Sequence, residues 1–246
     1  DGTFLMSPTC NEQVPQYAKY IINCIDAAWK DGSATVSIKG GTFGHDYSNS
    51  PEGEGTSYLA PGYTSVANVD GTFSVAAGVA QVAGKTFPTL QAAIDAAQDG
   101  ETVTLLGDVE QNSQLAINKD ITLDLNGKTI GNTVDIWGDN ANAILSIKNG
   151  AKVAITGDGT ITAKENDCYT INVVDGDLAI ENGTFVGNIS VVQVQKGSLT
   201  INGGAFSLLQ KMTDGKGESR YLINCIDSEF TSGNASVAIS GGTFVG

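Results

Sequence analysis

One short phrase recurs down the chain and limits what it can fold into: an alternating apolar strand, a glycine corner, then Thr-Phe. It reads VSIKGGTF at 36 to 43, LAIENGTF at 178 to 185, LTINGGAF at 199 to 206 and VAISGGTF at 237 to 244, with VAITGDGTI at 153 to 161 as a looser copy. Alternation such as Val36/Ile38 or Leu178/Ile180 turns one face of a short strand inward. The glycine permits the positive φ of a sharp corner, and Thr-Phe or Thr-Ile starts the next strand with β-favouring residues. The chain therefore reads as a stack of similar rungs.

Val153 and Leu178 are 25 residues apart, and Leu178 and Leu199 are 21 apart, which leaves room for three short strands and three turns per rung. The third strand is found in ILSIK (144 to 148), YTINVVD (169 to 175), ISVVQVQ (189 to 195) and YLINCID (221 to 227). The expected fold is all-β: a right-handed parallel β-helix with three strands per coil. Leucine-rich repeats need Leu at fixed spacings, and propeller blades need hairpin turns, neither of which the pattern supplies. A β-sandwich is the structural alternative.

Residues 86 to 109, TFPTLQAAIDAAQDGETVTLLGDV, break the strand pattern. Thr89 can cap a helix after Pro88, and Leu90, Ala93, Ile94 and Ala97 share one helical face before Asp99-Gly100 stops the run. A short helix near 89–98 with one apolar stripe would cover the open end of a solenoid, whose strand edges and apolar side chains are otherwise exposed.

With ITLDLNGKTI at 121 to 130, this opening segment and the rung phrase resemble the pectate-lyase-like right-handed β-helix superfamily. More narrowly, the chain resembles the tandem β-helix repeats of bacterial cell-surface and secreted proteins. The resemblance implies fold more strongly than activity. It implies an extracellular or cell-surface location and a glycan or a host or cell-surface protein as partner. For the lyases of this likeness it also implies Ca²⁺ held by several Asp.

A longer period lies above the rungs. Residues 20 to 43 match 221 to 244 over their whole length, a shift of 201. Residues 1–84 are thus expected to be the closing part of one repeat unit, with a hairpin at Val69-Asp70-Gly71-Thr72, and 85–246 the opening and body of the next. The chain is expected to be a piece of a longer array.

With 27 acidic against 13 basic side chains the net charge is −14, which argues against nucleic acid or an anionic membrane as partner. No apolar run approaches the roughly 18 residues of a helical span, so no membrane insertion is expected. Cys10, Cys24, Cys168 and Cys225 show no CxxC spacing. Cys24 and Cys225 share a repeat position with Val173, so they are read as small buried hydrophobes; pairing of Cys10 with Cys24 is the alternative.

Repetition separates structural residues from candidates. Asn23, Asn172 and Asn224 occupy one repeat position and Asp26, Asp175 and Asp227 another, so both sets are read as ladders at strand exits. His45 is the one histidine, so a Ser-His-Asp arrangement or a His-based metal site can rest on no more than this residue. It lies in a polar loop with Asp46, Glu52 and Glu54; a surface loop is the main reading and a Ca²⁺ or sugar contact the alternative, without EF-hand spacing. The inserts 131–142, 162–168 and 208–219 leave the same corner of nearby coils. Stacking would gather Trp137, Asp135, Asp139, Lys164, Asp167 and Lys211 on one flank, where ligand contacts usually sit. Trp137 either faces a sugar or plugs the coil beneath it. No catalytic set stands out and no cofactor is expected, Ca²⁺ excepted. The expected role is structural, adhesive or glycan-contacting; a polysaccharide lyase or glycoside hydrolase, and an inert spacer or stalk, are the alternatives.

Overall fold

The computed structural model describes residues 2–5, 21–48, 57–138, 141–188, 190–210, 212–213, 218–219 and 221–246. The chain forms two compact units, Asp1–Gly78 with Thr86–Pro88, and Val79–Lys85 with Thr89–Gly246.

The first unit contains β1 (Thr3–Phe4), helix α1 (Asp26–Lys30), β2 (Gly41–Phe43), β3 (Tyr63–Ala67) and β4 (Phe73–Ala77), its sheet running β1-β2-β4-β3. β1 lies parallel to β2, stacking Phe4 on Phe43 with centroids 5.1 Å apart, while β4 runs antiparallel to both β2 and β3. The expected hairpin is present: Gly71 has φ +82°, and the Asp70 carboxylate accepts the Thr72 N–H at 3.0 Å. Cys24, Ile38, Phe43, Tyr47, Tyr58 and Val75 form its core.

The second unit begins with β5 (Ala80–Val82); a turn at Ala83 and Gly84, both at positive φ, leads into β6 (Lys85–Phe87), of which Thr86 and Phe87 count with the first unit. Helix α2 (Leu90–Ala96) comes next, its first turn capped by the Thr89 hydroxyl accepting the Ala92 N–H at 3.2 Å. Leu90, Ala93 and Ile94 are its buried residues, as the periodicity requires.

From Glu101 on, three sheets are visited in rotation. The rounds are β7 (Glu101–Leu105), β8 (Val109–Glu110), β9 (Leu115–Ile117); β10 (Ile121–Asp124), β11 (Thr129–Gly131), β12 (Ala143–Ile147); and β13 (Lys152–Thr156), β14 (Thr160–Thr162), β15 (Tyr169–Val173). They continue with β16 (Gly176–Ile180), β17 (Thr184–Gly187), β18 (Ser190–Val194), then β19 (Gly197–Ile201) and β20 (Ala205–Leu208). The short antiparallel pair β21 (Met212–Thr213) and β22 (Glu218–Ser219) precedes β23 (Tyr221–Cys225), helix α3 (Asp227–Thr231), β24 (Ala235–Ile239) and β25 (Thr243–Val245).

Sheet I carries β7, β10, β13, β16, β19 and β24; sheet II carries β8, β11, β14, β17, β20 and β25; sheet III carries β9, β12, β15, β18 and β23. Pairing between successive rounds is parallel throughout, with like residues in register: Val153, Leu178, Leu199 and Val237 in sheet I, and Ile161, Phe185, Phe206 and Phe244 in sheet II. This β-dominated arrangement of long parallel sheets is compatible with a parallel β-helix. The corner glycine of the recurring phrase has positive φ in all four copies: +109° at Gly41, +112° at Gly183, +95° at Gly204 and +103° at Gly242.

The first round is closed by side chains acting as a strand would. β5 pairs antiparallel with β7. Beside β9, the Gln91 amide donates to the Ala116 carbonyl at 3.1 Å and its oxygen accepts the Ala116 N–H at 2.9 Å, supplying what a neighbouring peptide group would.

Two details differ from the sequence expectation. Asp26 and Asp227 open the first turns of α1 and α3 rather than standing at strand exits, because a free carboxylate is favoured where helix N–H groups lack partners. Asp175 does serve a corner, accepting the Asn149 N–H at 2.5 Å, as do Asp120 toward Lys152 (2.7 Å) and Asp108 toward Thr129 (2.8 Å). Finally, β12, β15 and β18 are buried on both faces, so the outward Ser146, Thr170, Asn172 and Gln193 are 9% exposed or less. Asn172 lies in register with Gln193 and Asn224 in mid-strand, and its amide donates to Asn142 at 2.8 Å.

No described helix is long and apolar enough to cross a membrane.

Candidate functional site

The connections from sheet II to sheet III carry the long inserts, and stacked rounds place them side by side. Asp167 is their node. Its carboxylate accepts the backbone N–H groups of Ile136 (2.9 Å) and Trp137 (2.8 Å) and the side-chain amide of Asn132 (2.6 Å), so the insert after β11 is held by the insert after β14. Asn132 returns the link by accepting the Lys164 N–H at 2.8 Å. Asn188, just after β17, accepts the Asn166 N–H at 3.1 Å, and the Gln210 amide, after β20, donates to Asn166 at 2.5 Å. Four successive rounds are thereby tied together at one corner.

Burial would raise the pKa of Asp167, only 7% exposed, but the Ile136 and Trp137 N–H donors, the Cys168 thiol and the Asn132 amide outweigh it and hold the carboxyl below its ordinary value. Cys168 is fully buried, and burial with the adjacent Asp167 charge pushes its pKa far up, so it stays a neutral thiol.

This clamp presents Trp137. Its indole is 53% exposed and meets Tyr169 edge-on, with centroids 5.5 Å apart, so it stands outside the strands rather than filling a round. Gly138 and Ala141 close the loop in an antiparallel bridge. Beside them Lys164 and Asp135 form an exposed ion pair at 2.6 Å. Trp137, Asp135, Lys164 and Asp167 are thus one neighbourhood; Asp139 and Lys211 lie outside the described residues. Of these, Asp167 faces inward as a scaffold, and its oxygens are occupied by chain donors. Asn132, Asn188 and Gln210, which join the loops, were not anticipated. The Gly-Asn pairs at 131–132 and 187–188, both closing sheet II strands, were the visible signal.

The other candidates have separate surroundings. His45 is exposed and edge-on to Tyr47, and Asp46 accepts the Ser48 N–H at 2.9 Å; Glu52 and Glu54 fall outside the described residues. Among the described residues no group of three or more His, Cys, Asp or Glu is arranged to hold a metal. The outer face of sheet I has a shallow opening of about 320 Å³ floored by Thr122, Ala154 and Thr200 and edged by Asp120, Lys152 and Asp177. Asp120 is engaged by the Lys152 N–H, and Asp177 by the Ser198 hydroxyl at 2.6 Å.

No family model matches the chain, and neither a curated protein nor a solved structure does.

Proposed function

We propose that residues 79–246 form a right-handed parallel β-helix of the pectate-lyase-like kind, belonging to a bacterial cell-surface or secreted repeat protein that contacts glycans without catalysis. The rotation of strands through three parallel sheets supports the fold, and the strong general preference of parallel crossovers supports the hand. The observation that carries the function is Trp137: a large aromatic face, exposed, on a loop whose own N–H groups are fixed by a buried carboxylate. An indole face packs against the C–H face of a sugar, and neighbouring Lys164 and Asp135 supply a donor and an acceptor for hydroxyls.

The test uses a Trp29→Phe chain, in which Trp137 is the remaining tryptophan, titrated with a panel of soluble neutral and acidic polysaccharides. A saturable change in indole emission that disappears in Trp137→Ala is expected, with no rise in reducing ends or unsaturated products. Silence across the panel would leave the spacer reading in its place, and depolymerisation would establish the enzyme.

A further inference from the structure

Four Asn-Gly pairs stand in the chain, at 126–127, 149–150, 182–183 and 202–203, and all four asparagines are exposed. In such a pair the backbone nitrogen reaches the preceding side chain with least hindrance, because glycine has no Cβ to block the approach. Sequence and exposure do not separate the four. Hydrogen bonding does.

At three of them one reacting partner is held elsewhere. The Asn126 amide is turned to the Leu105 carbonyl, donating at 2.8 Å. The Gly150 N–H is given to the Asp175 carbonyl at 3.0 Å. The Asn202 side chain is fixed at both ends: its amide nitrogen donates to Glu181 at 2.9 Å and its oxygen accepts the Ser240 hydroxyl at 2.8 Å. At Asn182 the opposite holds. The Gly183 N–H points at the Asn182 side-chain oxygen, 2.8 Å away, so the nitrogen stands next to the carbon that bears that oxygen. The Asn182 amide nitrogen donates to the Asp158 carboxylate at 2.6 Å, which fixes the side chain with its oxygen toward Gly183. The pair lines an opening of about 420 Å³ beside Asp158 and Gly204, so water reaches it.

We propose that Asn182-Gly183 is a self-modifying site, at which Asp158 holds the side-chain amide for attack by the Gly183 nitrogen. Water or hydroxide removes the Gly183 N–H proton, and the electron pair left on nitrogen attacks Asn182 Cγ. The Cγ–Nδ2 bond then breaks, Nδ2 takes a proton from water and leaves as ammonia, and a succinimide ring stands at the corner. Water opens the ring: at Cγ it gives aspartate, at the backbone carbonyl isoaspartate. Either product sets a carboxylate near Asp158 where a donor stood, and the charges repel. Isoaspartate also adds a carbon to the backbone between β16 and β17, next to the Gly183 carbonyl that accepts the Ala205 N–H at 2.8 Å. The corner therefore loosens as the protein ages. The site involves neither Trp137 nor its loop, so it stands apart from the glycan reading.

The test incubates the full chain in neutral buffer, samples it over time and maps its peptides by mass spectrometry, with isoaspartate counted by enzymatic methylation. Asn182 is expected to convert about tenfold faster than Asn126, Asn149 and Asn202 in the folded chain, and at nearly their rate in urea. Asp158→Ala frees the amide to rotate and should slow conversion about fivefold, whereas Asp158→Asn keeps an acceptor and should keep the rate. Exchange at the Ala205 amide should rise in the converted fraction. Conversion of Asn182 no faster than that of the other three in the folded chain would overturn the proposal. So would the same ranking in urea, because local sequence and not the fold would then set it. An unchanged rate in Asp158→Ala overturns the role of the carboxylate, and the proposal with it.

Discussion

The stacked phenylalanines of sheet II give the sharpest test of how the rounds hold together. Phe206 is 1% exposed and sits between two parallel rings, Phe185 at 5.1 Å and Phe244 at 4.9 Å. Truncating a buried Phe to Ala costs about 3–5 kcal/mol, and each ring pair adds about 0.5–1.5 kcal/mol beyond area alone. Phe206→Ala loses both pairs and should fall at the upper end, about 5 kcal/mol. Phe244 has one ring partner and is 36% exposed, so no closed cavity forms and Phe244→Ala should cost only about 1–2 kcal/mol. Phe206→Leu, which keeps burial and loses the rings, should fall between them.

Two compact units make a single global midpoint ambiguous, so the measurement is native-state hydrogen exchange at amides of β17 and β20. Equal costs for Phe206→Ala and Phe244→Ala would refute the ladder argument, since position in the stack would then not matter. A cost below about 1.5 kcal/mol for Phe206→Ala would do the same, because it would mean that the rounds close over the gap.

Three further outcomes follow from the same geometry. Gly183→Ala, at φ +112°, should cost about 1–3 kcal/mol by native-state hydrogen exchange at amides of β16 and β17, while Gly107→Ala, with open space at its Cβ, should be nearly neutral. Gln91→Leu removes both bonds to Ala116 and should raise exchange at the Ala116 amide roughly tenfold, corresponding to about 1–2 kcal/mol. The Asp167 carboxyl has a depressed pKa in the folded chain, so its stabilisation is present above the ordinary carboxyl value of 3.8 and is lost as pH falls through its folded value. Indole exposure, read by iodide quenching of Trp137 in Trp29→Phe, should accordingly rise below that pH and be insensitive to acid in Asp167→Asn.

What was legible in the sequence is what repetition enforces. Leu178 and Leu199 must face one way and Gly183 and Gly204 must turn, because a stacked round has the same steric needs as the one beneath it. The helix at Leu90–Ala96 was equally legible, since its cap and stripe are local. The short helices were not: YLINCID has the alternation of a strand to its end, yet Asp227 starts a turn after Ile226. The buried outer face of sheet III was hidden for a different reason. Ser146, Thr170 and Gln193 have the polar character of solvent-facing positions, and only the tertiary fold buries them.

The flank shows why the site was half visible. Asp135 and Asp167 are both acidic residues in inserts, and sequence could not rank them. Folding does: Asp135 stays 69% exposed beside Lys164, whereas Asp167 is drawn in by the otherwise unpaired N–H groups of Ile136 and Trp137. A carboxylate buried with four chain donors is an expensive way to hold a loop unless the loop's shape matters, since a flexible insert at a solvent-facing corner is tolerated at little cost. What it fixes is the orientation of one exposed indole, and a ring held in place beforehand loses less freedom when it meets a ligand. The departure from the ladder therefore supports the glycan-contacting proposal, in which Asp167 positions the loop and Trp137 is the residue that would touch the ligand.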